Sequence, residues 1–215
     1  MKRVALCLSL LATLTAAPAS AECAMSRAFV APSAGSRLPP NPTLYVFSPN
    51  SRHIDARVRS STPMELGPRE VFGSIAVQRV RFAVQRGSFS VTVGSEEVRY
   101  RVDPSWTRSE SQPVLGAPSH VESVWMCSHT DEVQLDVQSN APAFEVRWPG
   151  GRTIVPAHIE RFWRAGASRT ASPAVHLGHV SCLGFTVDGA ARPRAARFEV
   201  TALYPDGSRA TATSP

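Results

Sequence analysis

Apolar and polar residues alternate one by one along much of this chain, and sustained helical spacing is scarce. The clearest alternating runs are 80–84, 89–93, 98–102, 133–137 and 144–148. Because successive side chains of a strand point to opposite faces, one face of each run is predicted to be buried. The pattern therefore predicts an all-β protein.

Turn residues separate these runs at regular intervals. Gly94-Ser95 joins two alternating runs, and Pro149-Gly150-Gly151 and Pro205-Asp206-Gly207 follow two others. Glycine permits the positive φ that tight hairpin turns demand, so these sites predict antiparallel hairpins. Many short strands with a turn every few residues are typical of an antiparallel β-sandwich.

The stretch 103–119 interrupts the alternation. It is polar and contains Gln112-Pro113 and Gly116-Ala117-Pro118. Because proline and small polar residues bury little surface, we place a domain boundary near residue 113. The prediction is one β-sandwich domain over 22–113 and a second over 114–215. A single large sandwich is the alternative.

Three stretches resemble modules of secreted bacterial proteins. Residues 38–47 (LPPNPTLYVF) resemble the first strand of an immunoglobulin-like module. Residues 144–148 (FEVRW) and 198–208 (FEVTALYPDGS) resemble the third and the last two strands of a fibronectin type III-like module. The resemblance implies two tandem immunoglobulin- or fibronectin III-like sandwiches. It implies little chemistry, because such modules serve many unrelated functions.

The first 21 residues predict export. Lys2 and Arg3 precede an apolar run from Val4 to Leu14, and the segment ends in Ala19-Ser20-Ala21. This is the pattern of a secretory signal peptide that is cleaved after Ala21. The run is shorter than the roughly 20 apolar residues that span a bilayer, and no later segment reaches that length. We expect a secreted or periplasmic protein without a transmembrane segment. Every basic residue after Lys2 is arginine, which suggests a bacterial origin.

Three cysteines follow the predicted cleavage site, namely Cys23, Cys127 and Cys182. The fibronectin-like resemblance implies that the strands near Cys127 and Cys182 lie side by side and antiparallel. It thereby implies a Cys127–Cys182 disulfide, which the oxidising exterior permits. A bond from Cys23 to either of the others, or a free Cys23, is the alternative.

Positive charge is concentrated before the predicted boundary. Residues 22–113 hold 12 arginines against 8 acidic residues, and residues 114–215 hold 9 against 9. Six of these arginines alternate with apolar residues in three predicted strands: Arg57, Arg59, Arg79, Arg81, Arg99 and Arg101. If the strands share a sheet, the six line one exposed face. Guanidinium groups match phosphate, sulfate and carboxylate oxygens, so this face could contact an anionic glycan or lipopolysaccharide. The alternative is a solvated face whose charge prevents aggregation.

Two further features suggest an aromatic contact residue and a metal site. Trp163 lies between Phe162 and Arg164 and could present an aromatic contact to a partner or pack against the neighbouring domain. Cys127, His129, His179 and Cys182 could supply thiolate and imidazole ligands to a metal. Paired cysteines outside the cytoplasm more often form a disulfide, so we predict no metal and no other cofactor.

Recognisable catalytic motifs are missing from the sequence. There is no G-x-S-x-G elbow, no C-x-x-C and no H-E-x-x-H, so we do not expect an enzyme. The strand aromatics fall in the buried phase, which leaves no stacking platform for nucleic acid. The prediction is an exported, non-catalytic binding module of the bacterial envelope or exterior that contacts protein or an anionic glycan. A structural subunit of a surface assembly and a periplasmic Cys/His metal-binding protein are the alternatives.

Overall fold

The computed structural model describes residues 28–49, 57–73, 75–109, 112–125, 128–157, 174–180, 195 and 197–215. Sixteen strands and no helix occur among them. The all-β prediction is confirmed. Within the described residues there is also no helix long and apolar enough to cross a membrane.

Eight strands form from residues 29–102. They are β1 (Phe29–Ala31), β2 (Arg37–Leu38), β3 (Thr43–Pro49), β4 (Val58–Ser60), β5 (Met64–Phe72), β6 (Ile75–Phe82), β7 (Gly87–Val93) and β8 (Glu96–Val102). They make two four-stranded sheets. Sheet I has the order β2-β8-β7-β4, and sheet II has the order β1-β3-β6-β5. All neighbours are antiparallel except β2 and β8, which are parallel.

Eight more strands form from residues 114–213. They are β9 (Val114–Leu115), β10 (Ser119–Trp125), β11 (Ser128–Gln138), β12 (Ala143–Trp148), β13 (Gly151–Pro156), β14 (Ala174–Val180), β15 (Glu199–Leu203) and β16 (Arg209–Thr213). Sheet III has the order β13-β12-β15-β16. Sheet IV has the order β10-β11-β14, with β9 paired to β11. All these pairings are antiparallel.

Three apolar layers hold the four sheets together. The first includes Val46, Phe82 and Val91 and lies between sheets I and II. The second includes Leu135, Phe144 and Val200 and lies between sheets III and IV. A third joins sheet II to sheet III, so the sheets stack in the order I, II, III, IV.

The third layer changes how strand β3 is buried. Alternation predicts one buried face containing Tyr45 and Phe47. Instead, Leu44 and Val46 face sheet I, while Tyr45 and Phe47 face sheet III. Both faces are covered, because sheet II lies between two other sheets. The continuous apolar run Leu44–Phe47 is typical of a strand that is buried on both sides.

The predicted hairpins agree with the strand pairing. Strands β7 and β8 turn at Gly94, whose φ is +60°. Strands β12 and β13 turn at Gly150 (φ +95°), and β15 and β16 turn at Gly207 (φ +83°). The edge position of β13 also agrees with the restriction that Pro156 imposes.

Strands β5 and β10 were not predicted from the sequence. Gly67 and Pro68 interrupt the alternation of β5, where the register shifts between Leu66 and Arg69. Strand β10 is largely polar and lies at an edge of sheet IV. The strands before residue 103 and those after residue 113 share no sheet, and the domain boundary itself stays a prediction.

Several predictions fall on residues outside the described part of the chain. These are the signal peptide, the Cys127–Cys182 disulfide, Cys23 and Trp163. The strands next to the two cysteines are described: β11 pairs with β14, antiparallel, from Thr130 opposite Val180 to Asp136 opposite Ala174.

Candidate functional site

The six predicted arginines do not share a sheet. Arg59 lies on β4 with Arg57 directly before it, and Arg99 and Arg101 lie on β8, so these four belong to sheet I. Arg79 and Arg81 lie on β6 of sheet II. The condition for one six-arginine face is therefore not met. Alternation along a strand places a side chain on a face, and it does not say which sheet the strand joins.

The exposed face of sheet I retains part of the predicted pattern. Arg99 is opposite Ser90, Arg101 is opposite Ser88, and Arg59 is opposite Thr92. Small hydroxyl side chains thus separate the arginines of β4 from those of β8. The surface is well solvated: the Arg99 side chain is 83% exposed and forms an ion pair with Glu97 at 3.3 Å. Isolated exposed ion pairs of this kind contribute little to stability.

A second group of arginines lies in a concave site between sheets II and III. We call it the arginine cleft; its volume is about 380 Å³. Its charged lining residues are Glu70, Arg79, Glu145, Arg147, Arg152 and Arg209. Tyr45, Pro68, Val77, Ile154 and Leu203 complete the lining. Four arginines and two glutamates line the cleft, while Glu199 lies directly opposite Arg147 on the neighbouring strand and the charge of Asp206 acts on Tyr45 from outside the lining.

Sheet II supplies Arg79 next to a bulge. Gln78 donates a hydrogen bond through Nε2 to the carbonyl oxygen of Gly67 at 2.9 Å, across the register shift in β5. A Cβ atom on Gly67 would lie 3.0 Å from the carbonyl oxygen of Arg79, so a side chain there would press against β6. Bulges of this kind often adjust side-chain direction beside functional sites. Pro68 of the bulge lines the cleft together with Arg79.

Sheet III supplies a carboxylate with three arginine partners. Oε1 of Glu145 accepts hydrogen bonds from Nη2 of Arg147 at 2.7 Å and from Nε of Arg147 at 2.9 Å. Nε of Arg152 lies 3.7 Å from the same oxygen, and Nη1 of Arg209 lies 3.4 Å from Oε2. The Glu145 side chain is 6% exposed, whereas the three arginines are 41–54% exposed. The buried carboxylate thus orients guanidinium groups that remain accessible to solvent.

Arg152 also connects the two sheets. Its Nη2 forms an ion pair with Oε2 of Glu70 on β5, and its Cζ lies 5.4 Å from the centre of the Phe72 ring.

Arg79 differs from the other three arginines of the cleft in its ion pairing. Among the residues that the structure describes, it forms no ion pair with a carboxylate.

A scan against protein-family models finds no match for this chain, and a search of the curated proteins finds no similar sequence. Its function therefore has to be inferred from the geometry and chemistry of its own residues.

Tyr45 lies at the floor of the arginine cleft, directly opposite Arg79 in the β3–β6 register. Burial raises the pKa of Tyr45 to about 12, although the charges of Arg209 and Arg79 act in the opposite direction. At neutral pH its hydroxyl is therefore un-ionised, and the tyrosine adds no negative charge to the cleft. The hydrogen bonds to Glu145 likewise raise the pKa of Arg147, which keeps its charge.

This arrangement is suited to holding an anion. Guanidinium groups offer paired N–H donors that match the oxygens of carboxylate, phosphate and sulfate. Their orientation by Glu145 lowers the entropy that would be lost on binding. The concave shape brings arginines from both sheets towards one bound group.

Sequence reasoning found one arginine of this cleft, Arg79, and missed Arg147, Arg152 and Arg209. Arg147 and Arg152 sit opposite each other across the hairpin at Pro149-Gly150, and this pairing could have been read from the hairpin itself. Arg209 is 64 residues from Glu145 in the sequence, and no local sequence pattern indicates that their side chains meet.

The predicted metal ligands are only partly within the described residues. His129 lies on β11 and His179 lies on β14 opposite Asp131, while Cys127 and Cys182 fall outside the described part of the chain. The described residues contain no group of three or more His, Cys, Asp or Glu side chains that could hold a metal ion.

Proposed function

We propose that this protein is an exported, non-catalytic binding module that holds an anionic group in the arginine cleft. The group would be a phosphate, sulfate or carboxylate of an envelope glycan, of lipopolysaccharide or of a partner protein. The observation that carries this proposal is the convergence of Arg79, Arg147, Arg152 and Arg209 on one concave site with two carboxylates.

The charge arrangement supports a binding role as well as a structural one. An ion-pair network that served only to join the sheets would pair each of its arginines with a carboxylate. Here Arg147, Arg152 and Arg209 approach carboxylates, whereas Arg79 forms no ion pair with a described carboxylate. A bound anion would supply Arg79 with a negatively charged partner. It would also reduce the repulsion between Arg147 and Arg152, which lie directly opposite each other.

The proposal also covers the fold type of each half of the chain and the export of the protein. We propose that sheets I and II form one immunoglobulin-like sandwich and that sheets III and IV form a fibronectin III-like one, divided near residue 113. The antiparallel pairing of β11 with β14 supports the second assignment, because the fibronectin-like resemblance implies that these two strands are neighbours. Export follows from the signal-like pattern of residues 1–21 and is tested by N-terminal sequencing of the protein recovered from its host.

A binding experiment with simple anions tests the cleft. Inorganic phosphate and sulfate would be titrated into the purified protein at low salt and followed by calorimetry. Arg79→Gln should raise the phosphate dissociation constant by about tenfold or more, because it removes a charge-assisted hydrogen bond. Raising the salt concentration should weaken binding to the wild-type protein.

Arg99→Gln is the matched control, since it removes the same charge from the exposed face of sheet I. It should leave phosphate affinity unchanged. If Arg99→Gln weakens binding and Arg79→Gln does not, the face of sheet I is the anion contact and the cleft is structural. If phosphate and sulfate do not bind at all, the cleft proposal is wrong.

One observation favours the alternative role as a structural subunit. Strand β5 lies at the edge of sheet II and carries two large apolar side chains, Leu66 and Val71, that are each 48% exposed. Exposed apolar edge strands pair readily with other chains. Sedimentation over a wide concentration range tests this role. A protein that stays monomeric, and that behaves identically after Leu66→Lys, would count against self-assembly through β5.

A further inference from the structure

A second concave site lies where the loop after β8 meets the end of β15. It is a hollow of about 210 Å³, and it shares no lining residue with the arginine cleft. We call it the Trp106 pocket. Its lining residues include Ser36, Arg37, Trp106, Arg108, Ser109 and Asn140. They come from both halves of the chain.

The loop conformation determines where Trp106 lies. Oδ1 of Asp103 accepts hydrogen bonds from the backbone N–H of Ser105 at 3.0 Å and from its hydroxyl at 2.6 Å. The N–H of Trp106 donates to the carbonyl oxygen of Asp103 at 3.0 Å, which closes the turn. An aspartate side chain that accepts a hydrogen bond from the backbone N–H two residues later commonly stabilises such a turn. The indole is thereby kept half-buried at the pocket wall.

Polar side chains line the pocket together with the indole. Asn140 donates through Nδ2 to the hydroxyl of Ser109 at 3.0 Å, and Arg108 donates through Nη1 to the hydroxyl of Ser208 at 3.3 Å. The guanidinium of Arg108 also lies 5.0 Å above the centre of the Tyr204 ring. Each of these contacts joins the loop after β8 to the second half of the chain.

We propose that the Trp106 pocket binds one pyranose ring that carries a carboxylate, as in a hexuronic acid. A pyranose ring has an apolar face of C–H groups and a rim of hydroxyls. The flat indole can cover the apolar face. The Ser36 hydroxyl donates to the carbonyl oxygen of Ser33 at 2.8 Å, and the Ser109 hydroxyl accepts from Asn140 at 3.0 Å. Ser36 therefore keeps acceptor capacity and Ser109 keeps a donor for the sugar hydroxyls.

The charge of the pocket selects an acidic sugar over a neutral one. Arg37 and Arg108 both line it, and Arg37 lies 3.8 Å from Oδ2 of Asp103. Arg108 is held by a neutral hydroxyl and an aromatic ring, and it pairs with no carboxylate among the described residues. Its guanidinium is placed to pair with a carboxylate of the ligand.

The size of the pocket indicates a single ring rather than a long chain. Its 210 Å³ is below the range of roughly 300–1,000 Å³ that is typical of sites for drug-sized ligands. A neighbouring hollow of about 400 Å³ shares Pro32, Ser36, Asn140 and Pro142 with it. A second sugar unit could extend in that direction.

Nuclear magnetic resonance of the full chain tests the proposal directly. The backbone amide signals and the indole N–H signals would be followed while D-glucuronate or D-glucose is added, so that the amide signals of the pocket report binding in variants that lack the Trp106 indole. Glucuronate should shift the Trp106 signal and should bind about fivefold or more tightly than glucose. Trp106→Ala should abolish binding of both sugars, while Arg108→Gln should lower the affinity for glucuronate to that for glucose.

Arg86→Gln is the control, because Arg86 is exposed and lines neither this pocket nor the cleft. It should leave both sugars bound as in the wild-type protein. If Trp106→Ala does not fold, Trp106→Phe and Arg108→Gln decide the question. Equal affinity for glucuronate and glucose, or a shift caused by a proline-rich peptide and not by glucuronate, would overturn the proposal. The phosphate titration with Arg79→Gln is independent of all these outcomes.

Discussion

At the residue scale, Glu145 determines the arrangement of the arginine cleft. Its carboxylate is buried between sheets II and III and accepts two hydrogen bonds from Arg147. Arg152 and Arg209 approach the same group from β13 and β16. Burying a carboxylate is costly unless cations and hydrogen bonds compensate it, and the half-exposed arginines supply both.

Removal of the Glu145 charge should destabilise the protein and disorder the cleft. Glu145→Gln leaves three guanidinium groups close together without their shared partner. Because the arginines are half-exposed, we expect a cost of about 1–3 kcal/mol, below that of a fully buried pair. Urea unfolding would measure it. Glu97→Gln breaks the exposed pair with Arg99 and should cost no more than about 0.5 kcal/mol. Equal costs for the two variants would contradict a special role for Glu145.

At the element scale, the β12–β13 hairpin positions two arginines of the cleft. Trp148 and Gly151 are directly opposite each other at its turn, and Arg147 is opposite Arg152 one step further along. The indole of Trp148 lies over Gly151 and packs towards Phe198, with ring centres 6.3 Å apart. A Cβ atom on Gly151 would lie 2.4 Å from this indole, so any side chain there would have to displace it.

Gly151→Ala should therefore displace the Trp148 indole and destabilise the hairpin by about 1–3 kcal/mol. In a Trp148→Val background the same substitution should cost much less, because the clash is gone. Urea unfolding of the two single variants and the double variant gives the coupling energy. Costs that simply add would show that the indole is not the obstacle.

At the scale of the whole molecule, an apolar layer joins sheets II and III. Phe47 of β3 is fully buried in it and stacks on Phe29 with ring centres 5.2 Å apart. Leu203 of sheet III belongs to the same layer, and the N–H of Thr43 donates to the carbonyl oxygen of Pro205 at 2.6 Å. Because sheet II is covered on both faces, the two halves of the chain should stabilise each other.

Phe47→Ala should lower the stability of both halves. Emptying this buried site should cost about 3–5 kcal/mol. Hydrogen exchange would show reduced protection in β12 and β15 as well as in β3 and β6. Phe89→Ala deletes an equal volume between sheets I and II and should affect β12 and β15 less. Unchanged exchange in β12 and β15 after Phe47→Ala would show that the layer does not couple the halves.

Local features of the chain were predicted well. Single-residue alternation identified β7, β8, β11 and β12, and the glycine turns identified the hairpins that follow β7, β12 and β15. These strand and hairpin predictions are correct because side-chain direction along a strand and positive φ at a turn depend on only a few neighbouring residues. Strand β5 was missed because the bulge at Gly67 and Pro68 breaks its period.

The sequence by itself thus determined an all-β chain of short antiparallel strands and the faces on which several arginines lie. Only the tertiary structure decided which sheets those strands join and which faces meet. It separated Arg79 from Arg99 and brought Arg79 into the same cleft as Glu145, Arg152 and Arg209. The reason is that sheet membership depends on contacts between distant residues. Alternation shows only that a side chain is buried and not which residues cover that side chain.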